Sequence, residues 1–162
     1  MKNSCLAFLL FLIIGCNSTD KKKNEEVNKK NIKTTELSDL SGKKVSIEDF
    51  KGQKILLNFW ATWCGPCKKE MPDLLKTQAI LAKENYVILL VSNESIEKIS
   101  AFKQQSKYEF NYLVSNTSMS SLGVYALPTT YIYNEKGEKV DQIIGAVKWD
   151  SDEMITKLKE IK

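Results

Sequence analysis

Cys64 and Cys67 are separated only by Gly65 and Pro66. Two thiols at this Cys-x-x-Cys spacing can form a disulfide and exchange it with other thiols. An apolar run at 54–60 precedes the pair, and a segment with helical periodicity follows it, which predicts a strand-to-helix junction. Because a helix N-terminus favours an anion, we expect Cys64 to have a lowered pKa and an exposed sulfur, and to act as the nucleophile. Cys67, nearly one turn deeper, would resolve the mixed disulfide.

The remaining composition narrows the chemistry of this pair. All 24 basic residues are lysines, and the sequence contains no histidine. A structural zinc site needs four ligands, usually from cysteine and histidine, so we expect no metal. A static disulfide is a second alternative, but a bridge closing so small a loop restrains little of the unfolded chain. The lysines are scattered rather than clustered among aromatic residues, which predicts no nucleic-acid partner.

The N-terminus has the pattern of an export signal. A short cationic start precedes an apolar run of about ten residues, too short to span a bilayer, and the run ends at Gly15-Cys16. This ending resembles the bacterial lipoprotein signal, which implies a signal peptide at 1–15 and a lipidated Cys16. We then expect residues 16–33 to form a flexible tether and 34–162 to form the folded domain. A buried first helix is the alternative, but 17–33 are rich in Lys, Asn and Glu and offer no apolar face.

The domain is predicted to be α/β. A small hairpin turning at Gly42 opens it. Two buried strands, at 54–60 and 86–91, are joined by the helix that starts at the cysteines, which implies a parallel pair with a right-handed crossover. A second helix covers 95–105, and a hairpin at 129–144 and a last helix follow.

Two segments carry a specific resemblance. The sequence at 57–72, LNFWATWCGPCKKEMP, and the sequence at 123–130, GVYALPTT, are similar to the thioredoxin fold and, within it, to the membrane-tethered TlpA/ResA-like thiol:disulfide oxidoreductases. The resemblance covers 37–161. It implies a thioredoxin-like fold with a central mixed β-sheet flanked by helices and an N-terminal β-hairpin extension.

The resemblance also implies site residues beyond the cysteines. Pro128 matches the family's cis-proline, with an ordinary trans loop proline as the alternative, and Leu127 would offer its backbone to a substrate strand. Trp63, Gly65 and Pro66 would line the substrate side.

A proton acceptor is harder to assign from the sequence. Asn58 stands where thioredoxins carry a buried aspartate, and an amide cannot act as a base. Glu70, three residues after Cys67, is the candidate, because it matches an acidic residue of ResA-like proteins. A solvated surface glutamate beside Lys68 is an equally weighted alternative.

The Gly-Pro dipeptide resembles that of reducing thioredoxins, whose reduction potential is about −270 mV. This resemblance implies a reductant. We expect a monomer that is lipid-anchored in the bacterial envelope and reduces disulfide-containing envelope proteins such as apocytochrome c. It would be recharged by a transmembrane thiol donor and need no cofactor beyond its own disulfide. A disulfide isomerase or oxidase, and a redox-silent peptide-binding module, remain as alternatives. A peroxiredoxin is disfavoured because position 61 is alanine and arginine is absent.

Overall fold

The computed structural model describes residues 37–106 and 108–162. The predicted signal peptide, lipidated Cys16 and tether, together with 34–36, lie outside these residues. The strands are β1 Leu37–Asp39, β2 Lys44–Val45, β3 Lys54–Phe59, β4 Tyr86–Ser92, β5 Asn111–Ser115, β6 Thr129–Tyr133 and β7 Lys139–Ile144. The α-helices are α1 Gly65–Lys83, α2 Ile96–Ser106 and α3 Asp152–Lys159, and two 3-10 helices cover Ile47–Phe50 and Ser120–Leu122.

The strands form one mixed seven-stranded sheet in the order β2-β1-β5-β4-β3-β6-β7. Strands β3 and β4 are parallel, from Lys54 opposite Tyr86 to Phe59 opposite Val91, and β4 and β5 are also parallel. The other pairs are antiparallel. The predicted parallel pair and the mixed sheet are therefore confirmed.

The N-terminal hairpin is present as predicted. Strands β1 and β2 pair antiparallel, and Gly42 between them has a φ of 84°, which a glycine adopts without steric cost. The Asp39 carboxylate holds the turn by accepting hydrogen bonds from the backbone amides of Ser41 at 2.8 Å and Lys43 at 3.0 Å. Strand β1 then pairs with β5, so the hairpin extends the main sheet.

The core has two parts because the side chains of each central strand alternate between the faces of the sheet. On one face, Leu56 of β3 packs in a cluster with Met71 of α1, Ile99 of α2 and Leu158 of α3. The opposite face holds Ile55, Leu57 and Phe59 of β3, together with Ile47 and Leu122 of the 3-10 helices. All three α-helices thus contribute to one face. Two successive right-handed crossovers in the same direction, β3 to β4 and β4 to β5, require this of α1 and α2. None of the helices in this part of the chain is long and apolar enough to cross a membrane.

Candidate redox site

The two cysteines lie at the junction that the sequence predicted. Strand β3 ends at Phe59 and α1 begins at Gly65, with Cys64 as the N-cap residue. Cys64 and Cys67 form a disulfide with Cα atoms 5.3 Å apart. The Cys67 amide points at the Cys64 sulfur at a distance of 3.3 Å. Pro66 fits the first turn, where its missing N–H removes no helical hydrogen bond.

The expected exposure of the Cys64 sulfur is wrong for this oxidised form. Cys64 is only 4% exposed and Cys67 only 1% exposed, and both belong to the core cluster that contains Met71. The whole disulfide is therefore packed into the core at the start of α1.

The predicted substrate side lies at the same edge of the sheet as the disulfide. The Leu127–Pro128 peptide bond is cis, as the resemblance implied. Phe59, the last residue of β3, pairs with Thr129, the first residue of β6, so Pro128 sits level with the start of the loop that leads to Cys64. Pro128 is buried and its carbonyl accepts a hydrogen bond from the Gly145 amide at 2.9 Å.

The surface around this edge is partly apolar. Leu127 is half-buried and packs against the core, whereas Trp63 is 72% exposed. Tyr125, which the sequence did not single out, is 85% exposed in the loop before Pro128. Gly65 has nothing within 4 Å of the position that a Cβ would take. Trp63, next to Cys64, and Tyr125, three residues before Pro128, are thus exposed aromatic side chains on the two segments that carry the disulfide and the cis-proline.

Glu70 lies inside the protein, which rules out the surface alternative. It is 4% exposed. Its Oε1 accepts a hydrogen bond from the Asn58 Nδ2 at 2.9 Å, and its Oε2 accepts one from the Val147 amide at 3.2 Å. The same Asn58 nitrogen donates to Thr130 Oγ1 at 2.9 Å. Asn58 therefore fixes the orientation of a carboxylate that lies one helical turn below Cys67.

Burial is the main influence on the Glu70 carboxyl and raises its pKa. The hydrogen bonds from Asn58 and Val147 favour the charged form and oppose this rise. Trp149 has the smallest effect in the same direction, since its buried Nε1 forms no full hydrogen bond. The balance leaves a carboxyl group that binds a proton more readily than an ordinary glutamate.

Sequence reasoning missed several contacts of this site. Thr130 could have been found by pairing the predicted strand at 129–133 with β3, since Asn58 and Thr130 are opposite each other. Val147 and Trp149 follow β7, and no local pattern links them to Glu70. Glu94, after β4, accepts hydrogen bonds from Thr62 in the loop before Cys64. Across 37–106 and 108–162, no three side chains of a metal-binding type are grouped to hold an ion.

Comparison with known proteins agrees with this geometry. The AhpC/TSA family model matches residues 28–142. The thioredoxin-like protein YneN of Bacillus subtilis (strain 168) is 41% identical over 115 residues, which cover 68% of each chain. The thiol-disulfide oxidoreductase ResA of Bacillus thuringiensis (strain Al Hakam) is 34% identical over 112 residues, covering 67% of this chain and 65% of ResA. The match thus spans about two thirds of the length of these relatives.

A solved structure shows the same likeness. The exposed lipoprotein thioredoxin Etrx1 from Streptococcus pneumoniae strain TIGR4 superposes with a TM-score of 0.60 at 29% identity, covering 78% of this chain and 98% of Etrx1. The expected thioredoxin-like fold is confirmed. The chain therefore belongs to the AhpC/TSA family and is a ResA-like thiol-disulfide oxidoreductase.

Proposed function

We propose that this protein reduces disulfide bonds of other proteins outside the cytoplasm. The observation that carries the proposal is the Cys64–Cys67 disulfide at the N-terminus of α1 with the buried Glu70 one turn below it. A pair of thiols that can open and close beside a proton acceptor has what disulfide exchange requires. The similarity to the thiol-disulfide oxidoreductase ResA supports the same reaction class.

The reaction begins with the reduced dithiol. The Cys64 thiolate attacks one sulfur of a substrate disulfide, forming a mixed disulfide and releasing the other substrate sulfur as a thiolate. The Cys67 thiolate then attacks the Cys64 sulfur, which breaks the mixed disulfide and releases the second substrate thiolate. Two electrons pass to the substrate, and the protein is left with the Cys64–Cys67 disulfide.

Glu70 takes the proton in the second step. Cys67 is shielded and must lose its thiol proton before it can attack. Because burial raises the pKa of Glu70, its carboxylate can accept that proton and later return it when the disulfide is reduced again. The hydrogen bond from Asn58 holds the carboxylate in place throughout.

Substrate binding is assigned to the edge that carries the cis-proline. An extended substrate segment would pair with the backbone of Leu127, beside Pro128. Trp63, Gly65 and Pro66 would form the opposite side of the contact, with the exposed indole of Trp63 against the substrate. An aromatic side chain of this kind buries a large area on contact.

The proposed setting is the cell envelope. Cys16 would carry the lipid and 16–33 the tether, a layout supported by the likeness to the lipoprotein Etrx1. A monomer at the membrane surface would be recharged by a transmembrane thiol donor, since an oxidising compartment supplies no soluble reductant. Apocytochrome c is one candidate among the disulfide-containing substrates, and no cofactor is needed beyond the Cys64–Cys67 pair.

An insulin reduction assay started with dithiothreitol tests the activity. We expect the wild-type domain to accelerate insulin precipitation and Cys64→Ser to abolish the acceleration. Equal rates with and without the wild-type protein would overturn the proposal and favour a redox-silent binding module. A measured reduction potential of about −120 mV, the value of a strong oxidant, would contradict the proposed direction of electron flow.

Trapping identifies the partners. In Cys67→Ser the second step cannot occur, so mixed disulfides on Cys64 should accumulate in envelope preparations and be identified by mass spectrometry. Cys64→Ser is the matched control. Recovery of the same proteins with both variants would contradict the assigned order of attack.

A further inference from the structure

The loop that leads to Cys64 is held by a carboxylate from a neighbouring strand end. The backbone amide of Thr62 donates to Glu94 Oε2 at 2.6 Å, and the Thr62 hydroxyl donates to Glu94 Oε1 at 2.8 Å. Both oxygens of Glu94 therefore accept hydrogen bonds from Thr62, two positions before Cys64. Hydrogen bonds to a charged acceptor are shorter and stronger than neutral ones, which suits an anchor.

Glu94 is itself fixed in place. Ser92 is the fully buried last residue of β4. Its hydroxyl accepts a hydrogen bond from the Glu94 backbone amide at 3.2 Å and donates one to Glu94 Oε2 at 3.4 Å. The Trp60 amide donates to the carbonyl of Val91 at 3.0 Å, which extends the pairing of β3 and β4 into the loop. The start of the loop is thus tied to the end of β4 through the backbone, and its middle is tied there through Glu94.

Fixing Thr62 fixes the turn that presents Cys64. The Cys64 amide donates to the carbonyl of Ala61 at 3.0 Å, closing a turn with Thr62 inside it. The next contact along the chain is that of the Cys67 amide with the Cys64 sulfur. Only one residue, Trp63, separates the anchored Thr62 from the reacting cysteine, and Trp63 is largely solvent-exposed.

We propose that Glu94 is a positioning residue for the redox centre, which holds Cys64 where it closes a disulfide with Cys67. Glu94 acts through Thr62 and contacts no substrate. The proposal rests on the proposed redox function of the pair. Its measurable consequence is the effective concentration of one thiol at the other, because a loosened loop lowers the equilibrium constant for closing the disulfide.

The test is a titration of the purified protein in glutathione buffers, in which the fraction of Cys64–Cys67 disulfide is read as the fraction of protein that resists thiol alkylation. We expect Glu94→Ala to lower the equilibrium constant for disulfide formation about 10-fold, which corresponds to a potential higher by about 30 mV. Glu94→Gln should have a smaller effect, because the amide oxygen can accept from Thr62 N–H while its NH2 donates to the hydroxyl. The matched control is Glu97→Ala, an exposed glutamate in the first turn of α2, which should leave the constant unchanged.

An unchanged constant in a folded Glu94→Ala protein would overturn the proposal, as would an equal change in Glu97→Ala. If Glu94→Ala does not fold, Thr62→Val provides the test. This variant keeps the hydrogen bond from the backbone amide of residue 62 to Glu94 and removes only the one from the hydroxyl. A fall of about threefold supports the proposal, and a wild-type constant overturns it. The wild-type insulin assay reports separately on the proposed function, so an inactive wild type with a shifted Glu94→Ala constant would reject the reductase and retain the anchor.

Discussion

Glu70 and Glu94 are the same side chain placed on two sides of the redox centre in contrasting environments. Glu70 is 4% exposed and shares its hydrogen bonds between Asn58 of β3 and Val147, which follows β7. Glu94 is half-buried at the surface, and both of its carboxylate oxygens accept hydrogen bonds from Thr62. At Glu70, burial outweighs the hydrogen bonds and raises the pKa. The contrast separates a carboxyl group suited to proton transfer from one suited to anchoring.

Among the described residues, no lysine forms an ion pair with Glu70 that would offset the burial of its charge. Every ion pair recorded in the described part of the chain involves a carboxylate other than Glu70. A lysine beside Glu70 would favour the charged form and lower the pKa. Amide donors orient the carboxylate without cancelling the cost of burying its charge.

The largest effect is expected from removing the acid-base function itself. Glu70→Gln should slow insulin reduction about 100-fold, within the range typical of general acid-base catalysis. Glu94→Gln should slow it far less, because the anchor does not need to gain or lose a proton. Comparable losses in the two variants would remove the distinction between the glutamates.

The pH dependence of stability sharpens the comparison next. A carboxyl group whose pKa is raised in the folded state binds more protons there than in the unfolded chain. Its stabilising contribution is therefore complete below the unfolded pKa, near 4.5, and is lost as the pH rises through the folded pKa. We expect the urea midpoint for unfolding of the oxidised wild-type protein to fall as the pH rises through the folded pKa of Glu70. The midpoint of Glu70→Gln should fall less over the same pH change.

Asn58→Asp should change the pH dependence of stability in the opposite direction to Glu70→Gln. It places a second carboxyl group at the position from which Nδ2 contacts Glu70 Oε1 at 2.9 Å, and two carboxylates at such a distance cannot both ionise. The decline of stability with pH should become steeper than in the wild type. Parallel profiles for Asn58→Asp and Glu70→Gln would show that Glu70 does not govern the pH dependence.

The smallest effect concerns the loop between β7 and α3, in which the Val147 amide donates a hydrogen bond to Glu70. Ion pairs between lysines and aspartates connect this loop to α1: Lys148 with Asp150 at 2.8 Å and Asp73 at 3.7 Å, and Lys76 with Asp73 at 3.0 Å and Asp150 at 3.1 Å. Lys148→Ala should loosen the loop slightly, weaken the Val147 hydrogen bond and raise the Glu70 pKa further.

This change would appear as a small upward shift of the pH at which the urea midpoint falls. It should disappear at about 1 M salt, where surface charges are screened within about 3 Å. Lys136→Ala, on the exposed turn between β6 and β7, is the control. A shift that persists at high salt would assign the effect to packing rather than to charge.

The fold was largely predictable because its signals are local. The apolar runs at 54–60 and 86–91 mark strands buried on both faces, and the helical periodicity after Cys64 marks α1. The glycine turn of the first hairpin was equally clear. Two parallel strands joined by a helix then leave few topologies open.

The site was predictable only where residues are close in the sequence. The Cys64–Cys67 pair and the candidate Glu70 lie within two helical turns. The Val147 amide is 77 positions from Glu70, and Glu94 is 32 positions from Thr62, so these contacts depend on the register of the sheet. The burial of Cys64 was missed because helix-terminus electrostatics predicts the charge of a thiolate and says nothing of where a bonded sulfur points.

The two-residue length of β2 bears on self-association. An unpaired sheet edge invites strands from other chains, and proteins protect such edges with short strands and charge. Among the residues that the structure describes, one outer strand of the sheet is the two-residue β2. The other is β7, which carries Lys139 and Asp141 and has a register irregularity against β6. Both borders of the sheet are poor templates for an added strand, which lowers the tendency of copies of this chain to aggregate edge to edge.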